Sequence, residues 1–365
     1  MKVRTRQRRS GIALIIVLLV IVVLGILAGG FAYSMKVETT LARHATFNTD
    51  LDWAGRNSVE FAKWVLAQSM TGPQGPVGSF KREWGDFGLT NDILATVDLK
   101  QYEIKDARGE VFAVASIDIK DLDRKFNINV ADEVILRQAM TLIGVDAAES
   151  STIIGSILDR RDPDSNTRMS GTESEYYESL DPPYFAKDGP IDDLSELLLI
   201  RGVTPAMYWG STGGGMAPVL NRPPGGLKRS HFDEPTYAVG LVDLFTPISS
   251  RFINLNTASA TVLQLCHPNI DERVAQGILA RRAGLDGVEG NGDDTPFRSP
   301  QELMVPPIPG LTPEAAQALA TRSTVRSFCF EIHVSADVRG TKQEYSAIVR
   351  RNGPKDIQTL NLRRK

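Results

Sequence analysis

Oxygen ligands crowd one part of this 365-residue chain. Asp162 and Asp164 stand two apart, and Glu173 and Glu175 follow Gly171 closely. Between residues 159 and 196, eleven acids face four bases, a net of −7. Hard carboxylate oxygens at short spacing, on a loop able to wrap, suit Ca²⁺. A second loop, Asp286-Gly287-Val288-Glu289-Gly290-Asn291-Gly292-Asp293-Asp294, has similar ingredients in Asp286, Glu289, Asp293 and Asp294. Neither loop follows the twelve-residue EF-hand spacing. The alternative for each is a solvated acidic surface. The expected role of a bound ion is structural.

Signals for catalysis are weak. His44, His231, His267 and His333 form no His-Glu-x-x-His pair, and no Gly-x-Ser-x-Gly elbow occurs. Gly213-Gly214-Gly215 lacks the Gly-Lys-Ser/Thr that completes a phosphate loop. Cys266 and Cys329 are permitted to pair outside the cytoplasm, but their spacing does not demand it. An enzyme is not expected. The 41 bases and 44 acids, a net charge of −3, argue against a strongly basic nucleic-acid binder. Two cysteines exclude a disulfide-dense scaffold.

The elements that must position the acidic loops begin with a basic leader. Lys2, Arg4, Arg6, Arg8 and Arg9 precede an uncharged stretch, and residues 12–33 are an apolar run of 22. As a helix this run measures ~33 Å, enough for a bilayer core of about 30 Å. It is too long for a cleaved signal peptide. The basic flank should stay cytoplasmic, placing the rest outside. No other segment is apolar enough to span, so a multi-span transporter is excluded. Residues 34–70 continue at helical spacing with Gly55 as the lone glycine after Met35, and Thr71-Gly72-Pro73 ends the run.

Two hairpins follow. Tyr102 and Ile104 lead through Asp106-Ala107-Arg108-Gly109 to an alternating run from Val111 to Ile119. Phe328, Phe330, Ile332 and Val334 turn at Arg339-Gly340-Thr341 and return through Tyr345, Ala347 and Val349. The expected fold class is α+β: a spine helix packed on an antiparallel sheet drawn from residues 80–123 and 327–352. A large, mainly helical insertion splits that sheet. The insertion repeats itself: Phe126-Asn127-Ile128-Asn129-Val130-Ala131 matches Ile253-Asn254-Leu255-Asn256-Thr257-Ala258. Leu158-Asp159-Arg160-Arg161 matches Leu279-Ala280-Arg281-Arg282, and Gly202-Val203-Thr204-Pro205 matches Gly310-Leu311-Thr312-Pro313. The units are placed at 124–209 and 241–326, joined by a Gly/Pro-rich linker over 210–240.

With these residues in view, the chain resembles the K-type minor pseudopilin family of bacterial type II secretion. The Gly11/Ile12 junction between basic leader and apolar helix carries the resemblance. So do Phe126–Asn129, Asp162-Pro163-Asp164, Gly171-Thr172-Glu173-Ser174-Glu175-Tyr176-Tyr177 and Asp181-Pro182-Pro183-Tyr184. The resemblance implies that residues 1–11 are a prepilin-type leader, cut between Gly11 and Ile12 by a prepilin peptidase that also methylates the new amino terminus. It implies a pilin-like fold with an inserted helical domain, calcium in that domain, and I-type and J-type minor pseudopilins as partners. It implies a non-enzymatic subunit that starts and caps the pseudopilus, anchored in the inner membrane with its bulk in the periplasm and contacting exported proteins. Most pilins carry a glutamate fifth in the mature chain, which pairs with a neighbour's amino terminus. Here that position is Ile16, and the K-type family is distinguished by lacking the acid. An isoleucine at the mature start departs from the commoner phenylalanine or methionine.

Asn254-Leu255-Asn256-Thr257-Ala258 followed by two short helices also resembles helix-hairpin-helix DNA-binding modules, so a minor pilin of a type IV pilus or DNA-uptake system is the alternative. The hairpin there reads His267-Pro268-Asn269-Ile270-Asp271, with no glycine and an added acid. Backbone binding needs cations, and nucleic acid is not expected as a partner.

Overall fold

The computed structural model describes residues 10–71, 77–79, 98–210, 237–305 and 308–365. The first part of the 210–240 linker after Gly210, and residues 80–97 of the expected sheet region, lie outside the described residues.

A single helix, α1 (Ser10–Thr71), runs 62 residues. Its first turns expose leucine, isoleucine and valine on every side, Leu14 to Leu24 among them, the pattern of a helix whose solvent is lipid. Farther along, one face turns inward through Leu51, Ala54, Val59, Ala62, Val65 and Leu66. After β1 (Tyr102–Lys105) and β2 (Val111–Asp121) the chain leaves for the inserted body. That body begins with β3 (Phe126–Asn127), α2 (Glu133–Ile143), α3 (Ala147–Arg161), α4 (Ser174–Glu178), α5 (Pro205–Trp209), α6 (Leu241–Leu244) and β4 (Phe245–Thr246). It continues with β5 (Ile253–Asn254), α7 (Ala260–Gln264), α8 (Glu272–Arg282), α9 (Pro313–Arg322) and β6 (Ser323–Thr324). The chain returns as β7 (Cys329–Val338), β8 (Thr341–Gly353) and β9 (Asp356–Arg364).

The main sheet has the order β1-β2-β7-β8-β9, antiparallel throughout. Alternate residues of β2 (Ala113, Ala115, Ile117) and β7 (Phe330, Ile332, Val334) face α1 and form one core with it. The insertion therefore leaves and re-enters between neighbouring strands. A second core is continuous through both repeated units, from Phe126 to Val325.

Local chemistry explains the repeated motifs. Gly202 and Gly310 adopt φ of +87° and +85°, conformations open chiefly to glycine. Thr204 then accepts from Met207 N and Thr312 from Ala315 N, with Pro205 and Pro313 in the first helical turn. Gly-x-Thr-Pro is thus a turn, an N-cap and a helix start in four residues.

Two boundaries need correction. The sheet does not end at 352. Gly353-Pro354 breaks the strand only to turn it, and β9 pairs back along β8. The 241–326 unit also starts too early. Parallel pairing of β3 with β4 puts residues 241–246 in the first unit, just as β5 pairs with β6 to close the second. The counterpart of α9 is accordingly divided in the first unit into α5 and α6. Gly210 and Gly240 touch at that division: a Cβ on Gly210 would lie 2.3 Å from Gly240 N.

Candidate functional site

The first acidic loop hangs between α3 and α4. Asp159 lies in the last turns of α3 and Asp162 caps its end. The loop is held against α3 by small residues: a Cβ on Gly155 would meet Gly171 N at 2.8 Å, and one on Gly171 would meet Asp159 Oδ2 at 1.9 Å. The Ser156 hydroxyl donates to Thr172 Oγ1 at 2.9 Å beside this contact. Asp159 is fully buried and Glu173 is 6% exposed. Burial, then the charges of Asp188, Asp159, Asp162 and Asp164, push the Glu173 carboxyl up to about 7. Both Glu173 oxygens, Asp162 Oδ1 and Asp188 Oδ1 are buried without a hydrogen-bond partner. The positive charge in contact with this group is Arg168, whose Nη1 donates to Asp159 Oδ1 at 2.9 Å and also to Asp162 Oδ2.

Asp162, Asp164 and Glu173 thus share one electrostatic neighbourhood, whereas Glu175 sits exposed on α4. Asp159, Asp188 and Arg168 belong to it and escaped the spacing argument. One signal was available: the repeat has Ala280 where the first unit has Asp159, an acid the helix itself does not require. Among the described residues, no three histidine, cysteine or acidic side chains are already arranged around one point as metal ligands. The donor set is nonetheless that of a hard cation, with four buried oxygens left open.

In the second loop each carboxylate meets at least one donor. Asp293 accepts from Leu285 N at 2.9 Å and Asp286 N at 3.2 Å, and such backbone bonds hold its carboxyl below the usual range. Asp286 accepts from Val288 N and Asn291 Nδ2, Asp294 from Gly290 N, and Glu289 pairs with the buried Arg282. These four acids brace their own loop.

The Asn-x-Asn repeats prove to be clasps. Asn129 Nδ2 donates to Ile191 O at 2.8 Å while its Oδ1 accepts from Ile191 N at 2.8 Å. Asn256 does the same to Phe297, at 2.9 and 2.8 Å. In each unit the second arginine of Arg-Arg completes the knot: Arg161 donates to Ile128 O and Ala131 O, Arg282 to Leu255 O. These groups are engaged with the backbone of their own unit. Asp271 caps α8 by accepting from Val274 N, which puts an acid where a phosphate would sit.

At the seam between sheet and insertion, Asp121 and Asp123 form a buried hub. Asp121 Oδ2 accepts from Thr257 Oγ1, Ser327 Oγ and Asn254 Nδ2 at 2.6, 2.5 and 3.2 Å. Asp123 accepts from the amides of Ser250, Phe328 and Cys329. Burial, then the charge of Asp123, pushes Asp121 up to about 6. Cys266 and Cys329 are free thiols, both buried and both pushed up to about 12, chiefly by burial. Gly11 and Ile12 lie within α1 with side chains outside the description, and Ile16 is 56% exposed on it.

Two stretches of the chain, residues 115–209 and 253–322, match the two domains described as type II secretion system (T2SS), protein K. Similar curated proteins include the type II secretion system protein K of Klebsiella pneumoniae, 22% identical over 220 residues, covering 55% of this chain and 60% of the relative. That of Aeromonas hydrophila is 24% identical over 214 residues, covering 55% and 61%. The chain thus spans about three fifths of the length of these relatives. Among solved structures, the GspK-GspI-GspJ complex from the enterotoxigenic Escherichia coli Type 2 Secretion System contains a chain of similar fold. The TM-score is 0.61 at 14% identity, over 89% of this chain and 99% of that one.

Proposed function

We propose that the chain, which matches the type II secretion system protein K models over residues 115–209 and 253–322, is a member of that family and the tip subunit of a pseudopilus, a minor pseudopilin that starts assembly and aids export of folded proteins across the outer membrane. The observation that carries the reading is topological. A spine helix and antiparallel sheet are interrupted between neighbouring strands β2 and β7 by a two-unit helical body. Such a body would crowd a shaft of tightly packed spine helices but has room at an end. The similar fold in the GspK-GspI-GspJ complex supports I-type and J-type minor pseudopilins as its partners. Cleavage between Gly11 and Ile12 by a prepilin peptidase, followed by methylation, would leave α1 in the inner membrane. The basic residues ahead of it favour a cytoplasmic start and a periplasmic body.

In this reading the first acidic loop holds a structural Ca²⁺. Glu173, Asp162, Asp164 and Asp188 would ligate it. The ion would supply the positive charge that these crowded carboxylates, with the buried Glu173 among them, need.

The test of the tip assignment is co-purification. The detergent-extracted full chain should capture I-type and J-type pseudopilins, and a bulky replacement of Gly11 should leave it at the uncleaved size. Failure of both would remove the assignment. For the metal, Ca²⁺ at a hundredfold excess over Kd should stabilise the chelator-treated chain by about 2.7 kcal/mol. Mg²⁺ should do less because it demands a tighter octahedral shell. Asp162→Ala combined with Asp164→Ala should remove most of the calcium effect. A melting temperature indifferent to Ca²⁺, with no heat of binding, would reduce the loop to acidic surface.

A further inference from the structure

Arg168 stands among the carboxylates as a cation the chain itself supplies. Asp159 is fully buried, and an ionised carboxylate there needs a counter-charge. The Arg168 guanidinium meets that need, donating to Asp159 Oδ1 at 2.9 Å and to Asp162 Oδ2, while its own backbone N–H lies 3.2 Å from Asp159 Oδ2. These bonds to two carboxylates hold Arg168 well above the usual arginine range. Yet its side chain is 45% exposed, so it closes the cluster from the solvent side. Behind it, both oxygens of the buried Glu173 and one each of Asp162 and Asp188 stay open. One guanidinium cannot satisfy five carboxylates. It bonds to Asp159 and to one oxygen of Asp162, and leaves the buried Glu173 carboxylate without a partner.

We propose that Arg168 is a built-in counter-ion that exchanges with a divalent cation: it pairs Asp159 and Asp162 in the metal-free chain and swings out to solvent when the metal draws Asp162 to itself. The inference rests on the calcium reading of this loop and adds its regulation. Two consequences follow from the exchange. The metal-free loop keeps its shape, because the arginine stands in for part of the missing charge. Metal affinity is lower than the five carboxylates alone would give, because binding must first break the arginine's bonds. Glutamine at 168 removes the competing charge. Lysine keeps a charge but cannot bridge two carboxylates in a planar fork.

Calorimetric titration of the detergent-solubilised full chain with CaCl₂ tests this. Melting in chelator and mass-spectrometric measurement of Arg168 modification by phenylglyoxal complete the experiment. Arg168→Gln should bind Ca²⁺ about tenfold more tightly than wild type and melt at a lower temperature in chelator. Arg168→Lys should fall between the two in affinity. In the wild type, saturating Ca²⁺ should speed the modification of Arg168 severalfold. Equal or weaker Ca²⁺ binding by Arg168→Gln, or a modification rate unchanged by bound Ca²⁺, overturns the exchange while leaving the metal site standing. No heat of binding in wild type and both variants overturns the exchange together with the metal reading.

Discussion

Asn129 and Asn256 are read in opposite ways by pattern and by contact. In the pattern, Asn256 belongs to a stretch that resembles part of a DNA-binding module, and Asn129 to its repeat; in place, each amide holds the backbone of a segment far along the chain. Asn256→Ala would leave the buried N–H and C=O of Phe297 without partners. At roughly 1–3 kcal/mol per orphaned group, the loss should be about 2–4 kcal/mol in urea unfolding. A loss under half a kcal/mol would mean that water replaces the amide. Asp121 gives a pH signature. Its carboxyl, ordinarily near 3.8, keeps its proton to about 6 in the folded chain. The unfolded chain releases that proton first, so stability falls as pH rises from 4 through 6. At about 1.4 kcal/mol per unit this is ~2–3 kcal/mol. Asp121→Asn should show a shallower fall in chelator-containing buffer, since Glu173, also raised, still contributes, and parallel profiles for the two proteins would refute the assignment.

At the scale of elements, α1 is shaped by what the sheet lays against it. Gly55 lies under the Tyr345 ring, where an added Cβ would come within 2.4 Å of Cε2. Glycine in a helix interior costs about 1 kcal/mol relative to alanine, so Gly55→Ala gains propensity. The overlap with a ring packed between helix and sheet should outweigh it, for a net loss of about 1–2 kcal/mol in thermal unfolding. Unchanged or higher stability would show that Tyr345 has room to yield. The far end of α1 is held by Arg351, which donates to Leu66 O at 2.9 Å, Ser69 Oγ at 2.8 Å and Ser327 O at 2.7 Å, with Phe330 under its guanidinium. A cation near the C-terminal end of a helix opposes the negative end of its dipole. The helix's own last turn contains no basic residue.

For the whole molecule, the proposed tip position can be tested at Ile16, which is exposed on the apolar part of α1. A subunit with no neighbour ahead of it has no amino terminus to pair with a carboxylate. Ile16→Glu should therefore lower the amount of chain recovered with its partners, since an unpaired carboxylate in an apolar bundle costs several kcal/mol or takes up a proton. Normal or improved recovery would place the subunit in the shaft. The two repeated units bury a single core, so the insertion should unfold as one body. The Asp121–Asp123 hub ties that body to the sheet.

What the sequence by itself determined is what periodicity and steric punctuation encode. The long apolar helix, the two hairpins around residues 106–109 and 339–341, the inserted repeat and the crowding of acids after α3 all follow from neighbours along the chain. What lay beyond it depends on partners distant in sequence. Residues 241–246 join the first unit because β4 pairs with Phe126 and Asn127, and no local pattern marks that choice. Gly353-Pro354 carries the same breaker signal whether a strand ends or turns, and pairing with β8 decides between them. The candidate site divides in the same way. Asp162, Asp164 and Glu173 stand out by spacing, but Asp188 and Arg168 enter only once the fold closes the loop on α3. The open oxygens of Glu173 exist only because folding removes their water.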